Sequence, residues 1–498
     1  MRAASALAAA LLAGCASFEA PLSGHLASPA PQVRACAEWY VTLDAAVEAA
    51  GVRDAQEVRV EGFPYLRVNR LLAAMKGAAT ASLGVLNAYA GRLADLDLAA
   101  RGYEIGNLPE ERLRALAQRS PPGTRGEAIA RTRDCARLLR EIDFAKPEAR
   151  SLALARARVP DAYSAGQRLL GLYALTRVAF AAGVRRWEEE QRAAHAGAPR
   201  AAPGTVLVRY APAAIPRLGF NSAAEIIARS VRNPLGLPEP DANDAEVLLA
   251  AHAPSFEIET AGDADRFGRL RWRHGSGVPG VDATEPAVYT RVAHTLYRGR
   301  PLLQLVYTIW FPERPPQVPG DILAGRLDGV VWRVTLAPDG EPLFYDSMHP
   351  CGCCHVFFPT ARARARPASD SLEEWAFAPA TLPRVRHGER ALLRIASGTH
   401  YVERVTLVRG IDSVSRYAFR AEEELRSLAL PGGGRASVYR ADGLIAGSER
   451  PERLLFWPTG IASAGAMRQW GHHATALVGR RHFDDADLAE RRFELELR

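Results

Sequence analysis

Apolar residues recur at every third or fourth position from Cys36 to about His195, in Trp39-Tyr-Val-Thr-Leu43, in Tyr65 to Met75 and in Leu83 to Leu98. That spacing lines one face of a helix. Pro109-Glu-Glu, Pro147-Glu and Pro160-Asp place proline where a first helical turn tolerates its missing N–H, and they predict further helix starts. Leu169 to Val184 is apolar enough to suggest a membrane span. It is too short for one, and Arg168, Arg177, Arg185 and Arg186 crowd it, so it is predicted to be a buried core helix. The result is an N-terminal all-helical domain over residues 36–195, without catalytic spacing, whose role is structural or to face a protein partner in the cell envelope.

Ala194-His-Ala-Gly-Ala-Pro-Arg-Ala-Ala-Pro-Gly204 breaks the pattern as a linker. Beyond it the period shortens. Val206–Tyr210 reads as a strand, and Asn221-Ser-Ala-Ala-Glu and Asn243-Asp-Ala-Glu as helix starts. Strands are then predicted over 256–260, 270–273, 288–297, 302–311, 329–336, 342–347, 392–396 and 401–408, with hairpin turns at Arg298-Gly-Arg-Pro301 and Ala337-Pro-Asp-Gly340. Hairpins rather than crossover helices join the best strands. The fold class is therefore read as α+β: the helical domain, then a mainly antiparallel β domain, residues 205–498, with helical insertions.

At 498 residues, with 48% hydrophobic and 24% charged residues, the chain can bury several cores without staples. Its net charge of +7 does not indicate nucleic acid. Lys76 and Lys146 are the only lysines, the arginines are spread along the whole chain, and the densest run, Arg362-Ala-Arg364-Ala-Arg366, has no interleaved aromatics. No Gly-rich phosphate loop opens a helix and no Gly-x-Ser-x-Gly elbow occurs.

The first residues change the picture. Met1-Arg2 is followed by an apolar run, Ala3 to Leu12, too short to span a bilayer but suited to the core of a secretory signal. It ends in Leu12-Ala13-Gly14-Cys15, which resembles the lipobox of bacterial lipoproteins. The resemblance covers these residues only. It implies a signal peptide over residues 1–14, a lipidated Cys15 that holds the protein to a membrane, and, with Ala16 following, sorting to the outer membrane facing the periplasm. Residues 15–35 carry Pro, Ser and Gly without periodicity and read as a tether.

An exported chain meets an oxidising compartment, so its other cysteines are potential disulfides. Five remain: Cys36, Cys135, Cys351, Cys353 and Cys354. Cys36 and Cys135 lie on helix-like segments, and a bridge would clip the two ends of the helical half together. At least one thiol of the other three then stays unpaired.

Those three sit in Tyr345-Asp-Ser-Met-His349-Pro-Cys351-Gly-Cys353-Cys354-His355-Val-Phe-Phe358, a Pro/Gly-shaped loop between β-prone runs. In an extended segment His349, Cys351, Cys353 and His355 fall on one side and Cys354 on the other. Thiolates with imidazoles suit zinc or copper, so the expected metal-binding residues are His349, Cys351, Cys353, Cys354 and His355. His400 or His472 would complete the set, and Asp346 would accept from an imidazole N–H. Cys351-x-x-Cys354-His355 also resembles the haem-attachment motif of c-type cytochromes, which implies haem c with His355 as axial ligand. Here a strand follows the motif where a helix is usual, and Cys353 adds a thiol inside it. The remaining alternatives are a turn stapled by a disulfide, in a structural or partner-binding lipoprotein, and a reactive cysteine acting with His355 as base.

Overall fold

Pro31 occupies the first turn of a helix that runs to Ala50 (α1), the position where its fixed φ and missing N–H cost least. The structure, a computed structural model, describes residues 21–119, 123–197, 201–213, 219–368, 372–410, 412 and 414–497. Cys15 and the lipobox lie outside the described residues. The segment expected as a tether is helical over Pro21–Leu26, and α1 starts before Cys36. Pro31, not the cysteine, sets the boundary.

α1 packs with Leu83–Asn107 (α2), Arg125–Phe144 (α3) and Pro147–Arg156 (α4) around Trp39, Tyr40, Leu43, Tyr89, Leu93 and Leu139. Side-chain caps start two of these helices. Ser82 accepts from the Val85 N–H at α2, and Thr124 and Glu127 form a reciprocal capping box at α3. Cys36 on α1 and Cys135 on α3 are joined in a disulfide with Cα atoms 5.2 Å apart. It closes a loop of 99 residues, which in the chain-entropy account stabilises the fold by on the order of 4–5 kcal/mol.

The bundle's core ends at Ala157, apart from Leu235 and Leu237. Pro160 does not start a helix. Ser164 accepts from the Gln167 N–H and caps Ala165–Leu170 (α5), and a left-handed Leu172 breaks the chain before Tyr173–Ala196 (α6). The apolar run 169–184, expected as one buried helix, is therefore divided, and much of it faces outward: Leu169 and Leu170 are each 76% exposed and Leu175 71%.

Ten strands form one sheet: Val206–Pro212 (β1), Ser255–Thr260 (β2), Ala287–Tyr297 (β3), Arg300–Arg314 (β4), Gly325–Leu336 (β5), Pro342–Met348 (β6), Val356–Pro359 (β7), Arg390–Ile395 (β8), Val402–Val408 (β9) and Ser415–Ala421 (β10). Their order is β7-β6-β5-β4-β3-β10-β1-β2-β8-β9. β3 to β7 form an antiparallel meander, as the hairpin turns predicted. Left-handed Arg298 and Gly299 make the β3–β4 turn. β10, which the sequence did not reveal, enters parallel to β3 on one side and to β1 on the other, and β8 lies parallel to β2. The class is α+β, with a mixed sheet of six antiparallel and three parallel pairings.

All ten strands send side chains into a single core, from Tyr210 and Phe256 through Leu305, Tyr307 and Trp332 to Phe358 and Val405. The sheet therefore curls around its own inner face. α6 lies along the remaining gap between the edge strands. Its His195 ring is 5.6 Å from Phe358 of β7, and Arg404 of β9 donates to the His195 carbonyl. Trp187 of α6 packs on Phe377 and on Tyr401, just before β9. Beyond β10 the chain has little regular structure. It wraps the end of the sheet where β6 turns into β7, which is where the Cys/His loop lies.

Candidate functional site

The loop between β6 and β7 is a tight turn. The Gly352 N–H donates to the His349 carbonyl at 2.7 Å, and the His349 N–H to the Cys353 carbonyl at 3.0 Å. Gly352 has φ +95°, and a Cβ there would meet the Ala474 carbonyl oxygen at 2.3 Å, so only glycine fits. Arg468 clamps the turn from the C-terminal segment, its backbone N–H donating to the Pro350 carbonyl and its Nε to the Cys351 carbonyl, both at 2.9 Å.

Within this turn the sulfurs of Cys351 and Cys353 are 2.7 Å apart, about 0.7 Å beyond a covalent S–S bond of about 2.05 Å. The Cys353 N–H points at the Cys351 sulfur from 3.4 Å. Cys351 is buried, whereas Cys353 and Cys354 are half-buried and Cys354 is left-handed, with φ 59°. The Cys351 thiol is pushed well up by its contact with Cys353 and by burial. At Cys353 the contact with Cys351 favours the thiolate, but the contact with Cys354 and burial outweigh it, and its pKa too lies well above the usual value.

One ring nitrogen of each nearby histidine is held by a carboxylate. His355 Nε2–H donates to Asp346 Oδ2 at 2.8 Å, and the Arg333 guanidinium grips the same carboxylate at 2.9 and 2.5 Å. Burial pushes His355 down to about 3 despite that bond, so the ring is neutral and its Nδ1 is buried without a partner. His349 Nδ1–H donates to Asp328 Oδ1 at 3.2 Å, and burial lowers its pKa as well. His400 Nδ1–H donates to Asp328 Oδ2 at 2.8 Å, and its Nε2 lies 3.4 Å from Asp265. Burial opposes charge on His400, but the two carboxylates outweigh it and raise its pKa. Burial likewise opposes charge on Asp328, and His349, Arg450 and His400 hold its pKa well below the carboxylate range.

The expected metal set is thus divided. His349 and His400 belong to Asp328, His355 belongs to Asp346, and the sulfurs face one another. Asp346 does partner an imidazole, as expected. His472 is remote, its Nε2–H donating to the Ala55 carbonyl at 2.7 Å. Among the described residues no group of three or more His, Cys, Asp or Glu side chains is placed to hold a metal ion. For haem c the ring of His355 would have to leave Asp346, and β7 rather than a helix follows it. The residues present fit neither group.

What the loop does share is a cavity of about 520 Å³, within the roughly 300–1,000 Å³ range of small-molecule pockets. His349, Cys351, Cys353, Cys354 and His355 all line it. Its walls are mostly apolar, with Phe180, Val184 and Trp187 of α6 opposite Leu455, Phe456 and Ile461. Among the polar groups on the wall that sequence reasoning missed are Arg314, Tyr401, Arg450 and Glu452. They come from β4, the residue before β9 and the C-terminal segment, and no local motif joins them. Burial lifts the Glu452 carboxyl to about 7 against the pull of Arg450 and Arg314. It acts electrostatically on both Cys351 and Cys353.

The chain matches no protein-family model, no curated protein and no solved structure.

Proposed function

We propose that this is an exported, lipid-anchored envelope protein that performs thiol–disulfide exchange through Cys351 and Cys353. The observation that carries this reading is the 2.7 Å approach of the two sulfurs on a turn that opens into a cavity. A disulfide that only staples a turn needs no cavity, and a metal centre needs at least three converging ligands, which the described residues do not bring together. Anchoring rests on the lipobox resemblance at residues 12–15.

The exchange balances as dithiol plus acceptor disulfide giving protein disulfide plus two thiols. The half-buried Cys353 is the sulfur an acceptor can reach. Its thiolate attacks one acceptor sulfur and the other leaves as a thiol. Cys351 then attacks the Cys353 sulfur of the mixed disulfide, releases the second thiol and closes the protein disulfide. The raised thiol pKa values mean that a base must take the proton. Glu452 at about 7 is suited to this near neutrality.

Sequential alkylation tests the assignment. Protein purified without reductant is treated with one maleimide, reduced, treated with a second and mapped by mass spectrometry. Cys351 and Cys353 should carry the second label and Cys354 the first, and a Cys351→Ser variant should accumulate mixed disulfides at Cys353. Three thiols that stay free after treatment with a disulfide oxidant, or a bridge through Cys354, would overturn the reading.

A further inference from the structure

Six side chains of the acidic and basic types line the cavity: Glu188, Arg314, Glu374, Arg450, Glu452 and Arg481. Four of them are satisfied by the protein. Glu188 is paired with Arg192, Glu374 with Arg481 and with the N–H groups of Leu477 and Val478, and Arg450 with Asp328. Arg314 and Glu452 form no ion pair among the described residues, either with each other or with a third group. Each is only 5% exposed. The Arg314 guanidinium donates once, from Nη1 to the Thr399 carbonyl at 2.9 Å, and its Nε is buried without a partner. The Glu452 carboxyl has no hydrogen-bond partner among the described residues, yet room is kept for it: a Cβ on Gly465, which lines the same cavity, would collide with Oε1. Buried charged groups left unmatched in a cavity wall call for a ligand that matches them.

Both groups stand beside the thiols. Cys353 and Cys354 act electrostatically on Arg314, and Glu452 acts on Cys351 and Cys353. Arg314 also acts on Glu452, so a cation and an anion share one end of the cavity without touching. Two other carboxylates act on Glu452, and both are already held: Asp321 by the N–H groups of Gln317 and Leu323, and Asp328 by Arg450, His349 and His400. A ligand carrying one charge would attract one member of the Arg314 and Glu452 pair and repel the other. A zwitterion matches both.

We propose that the cavity binds a sulfur-containing α-amino acid, with Arg314 on its carboxylate and Glu452 on its ammonium, and that the acceptor Cys353 meets is the disulfide of such an amino acid. The second half of this statement rests on the thiol–disulfide reading above, and the first half does not. Attack by Cys353 releases one amino-acid thiol, attack by Cys351 releases the other, and the protein keeps the bond between Cys351 and Cys353, so two electrons pass from the protein dithiol to the acceptor. A carboxylate has two oxygens, so Glu452 can hold the ammonium with one and take the thiol proton with the other. A cysteine inside a polypeptide has neither charge at its backbone, which makes the free amino acid the preferred partner over a protein chain.

The test offers the reduced full chain four disulfides: cystine, with both charges; cystamine, with the ammonium alone; 3,3′-dithiodipropionate, with the carboxylate alone; and bis(2-hydroxyethyl) disulfide, with neither. The rate at which Cys351 and Cys353 become protected from maleimide should be highest with cystine and roughly tenfold or more lower with each of the others. Arg314→Gln should abolish the preference for cystine over cystamine, and Glu452→Gln the preference for cystine over 3,3′-dithiodipropionate. Ratios are the readout because loss of the base at Glu452 slows every disulfide alike. S-methylcysteine, which cannot exchange, should bind the wild type in calorimetry and bind both variants roughly tenfold or more weakly. Equal rates with all four disulfides in the wild type, a cystine preference that survives both substitutions, or no binding of S-methylcysteine would overturn the amino-acid site. Binding of S-methylcysteine without oxidation by any of the four disulfides would leave the site standing and overturn the exchange reading instead.

Discussion

Two buried carboxylates, Asp328 and Asp346, hold the histidines nearest the sulfurs, and their charges are balanced by arginine as much as by imidazole. This makes His355 a sensitive reporter. Its folded pKa of about 3 lies below the unfolded value of about 6.5, so the folded chain favours the neutral ring. The stability this gives is fully present above the unfolded pKa and is lost as the pH falls from there toward 3, because only the unfolded chain takes up the proton. Between pH 6.5 and pH 5 that single group should cost about 2 kcal/mol. His400, with its pKa raised, has the opposite sign. Its contribution is present below the unfolded pKa and fades as the pH rises through the raised one. A His355→Gln variant keeps a donor for Asp346 and cannot titrate. Urea unfolding at the two pH values should therefore show a shallower loss for the variant by about 2 kcal/mol, and an identical loss would contradict a neutral, buried His355.

At the scale of elements, the β6–β7 turn depends on Gly352. With φ +95° and the Ala474 carbonyl 2.3 Å from where a Cβ would stand, Gly352→Ala cannot keep this backbone. It should destabilise the fold by about 1–3 kcal/mol and separate the two sulfurs. The expected readout is loss of the second label on Cys351 and Cys353 in the alkylation map with most of the fold intact. An unaltered label pattern would show that the turn does not set the pair. The importance of this turn was legible in the sequence, because three cysteines and two histidines between Pro, Gly and β-prone runs stand out in any chain. What they do was not legible, since the pull of Asp328 from β5 on His349 comes from another strand. The helix over 169–184 was misread for a related reason. Apolar content alone does not tell whether a helix is buried or exposed, and the break at Leu172, left-handed without being a glycine, was signalled only by Gly171 beside it, which caps α5.

At the scale of the whole molecule, the meander from β3 to β7 was legible because each strand pairs with its chain neighbour through a turn of recognisable chemistry. The mixed character of the sheet was not, because the parallel pairings join β10 to β1 and β3, and β8 to β2, across long stretches of chain. The Cys36–Cys135 bridge followed from two cysteines on neighbouring helices, whereas the cavity exists only once the curled sheet, α6 and the C-terminal segment meet. The most direct test of the central claim is a redox titration of the full chain in glutathione buffers, following the fraction of Cys351 and Cys353 that resists alkylation. Thiol–disulfide exchange predicts a reversible two-electron transition that persists in Cys354→Ser and disappears in Cys351→Ser and in Cys353→Ser. A pair that never oxidises across the accessible range, or a transition that follows Cys354 instead, would contradict it.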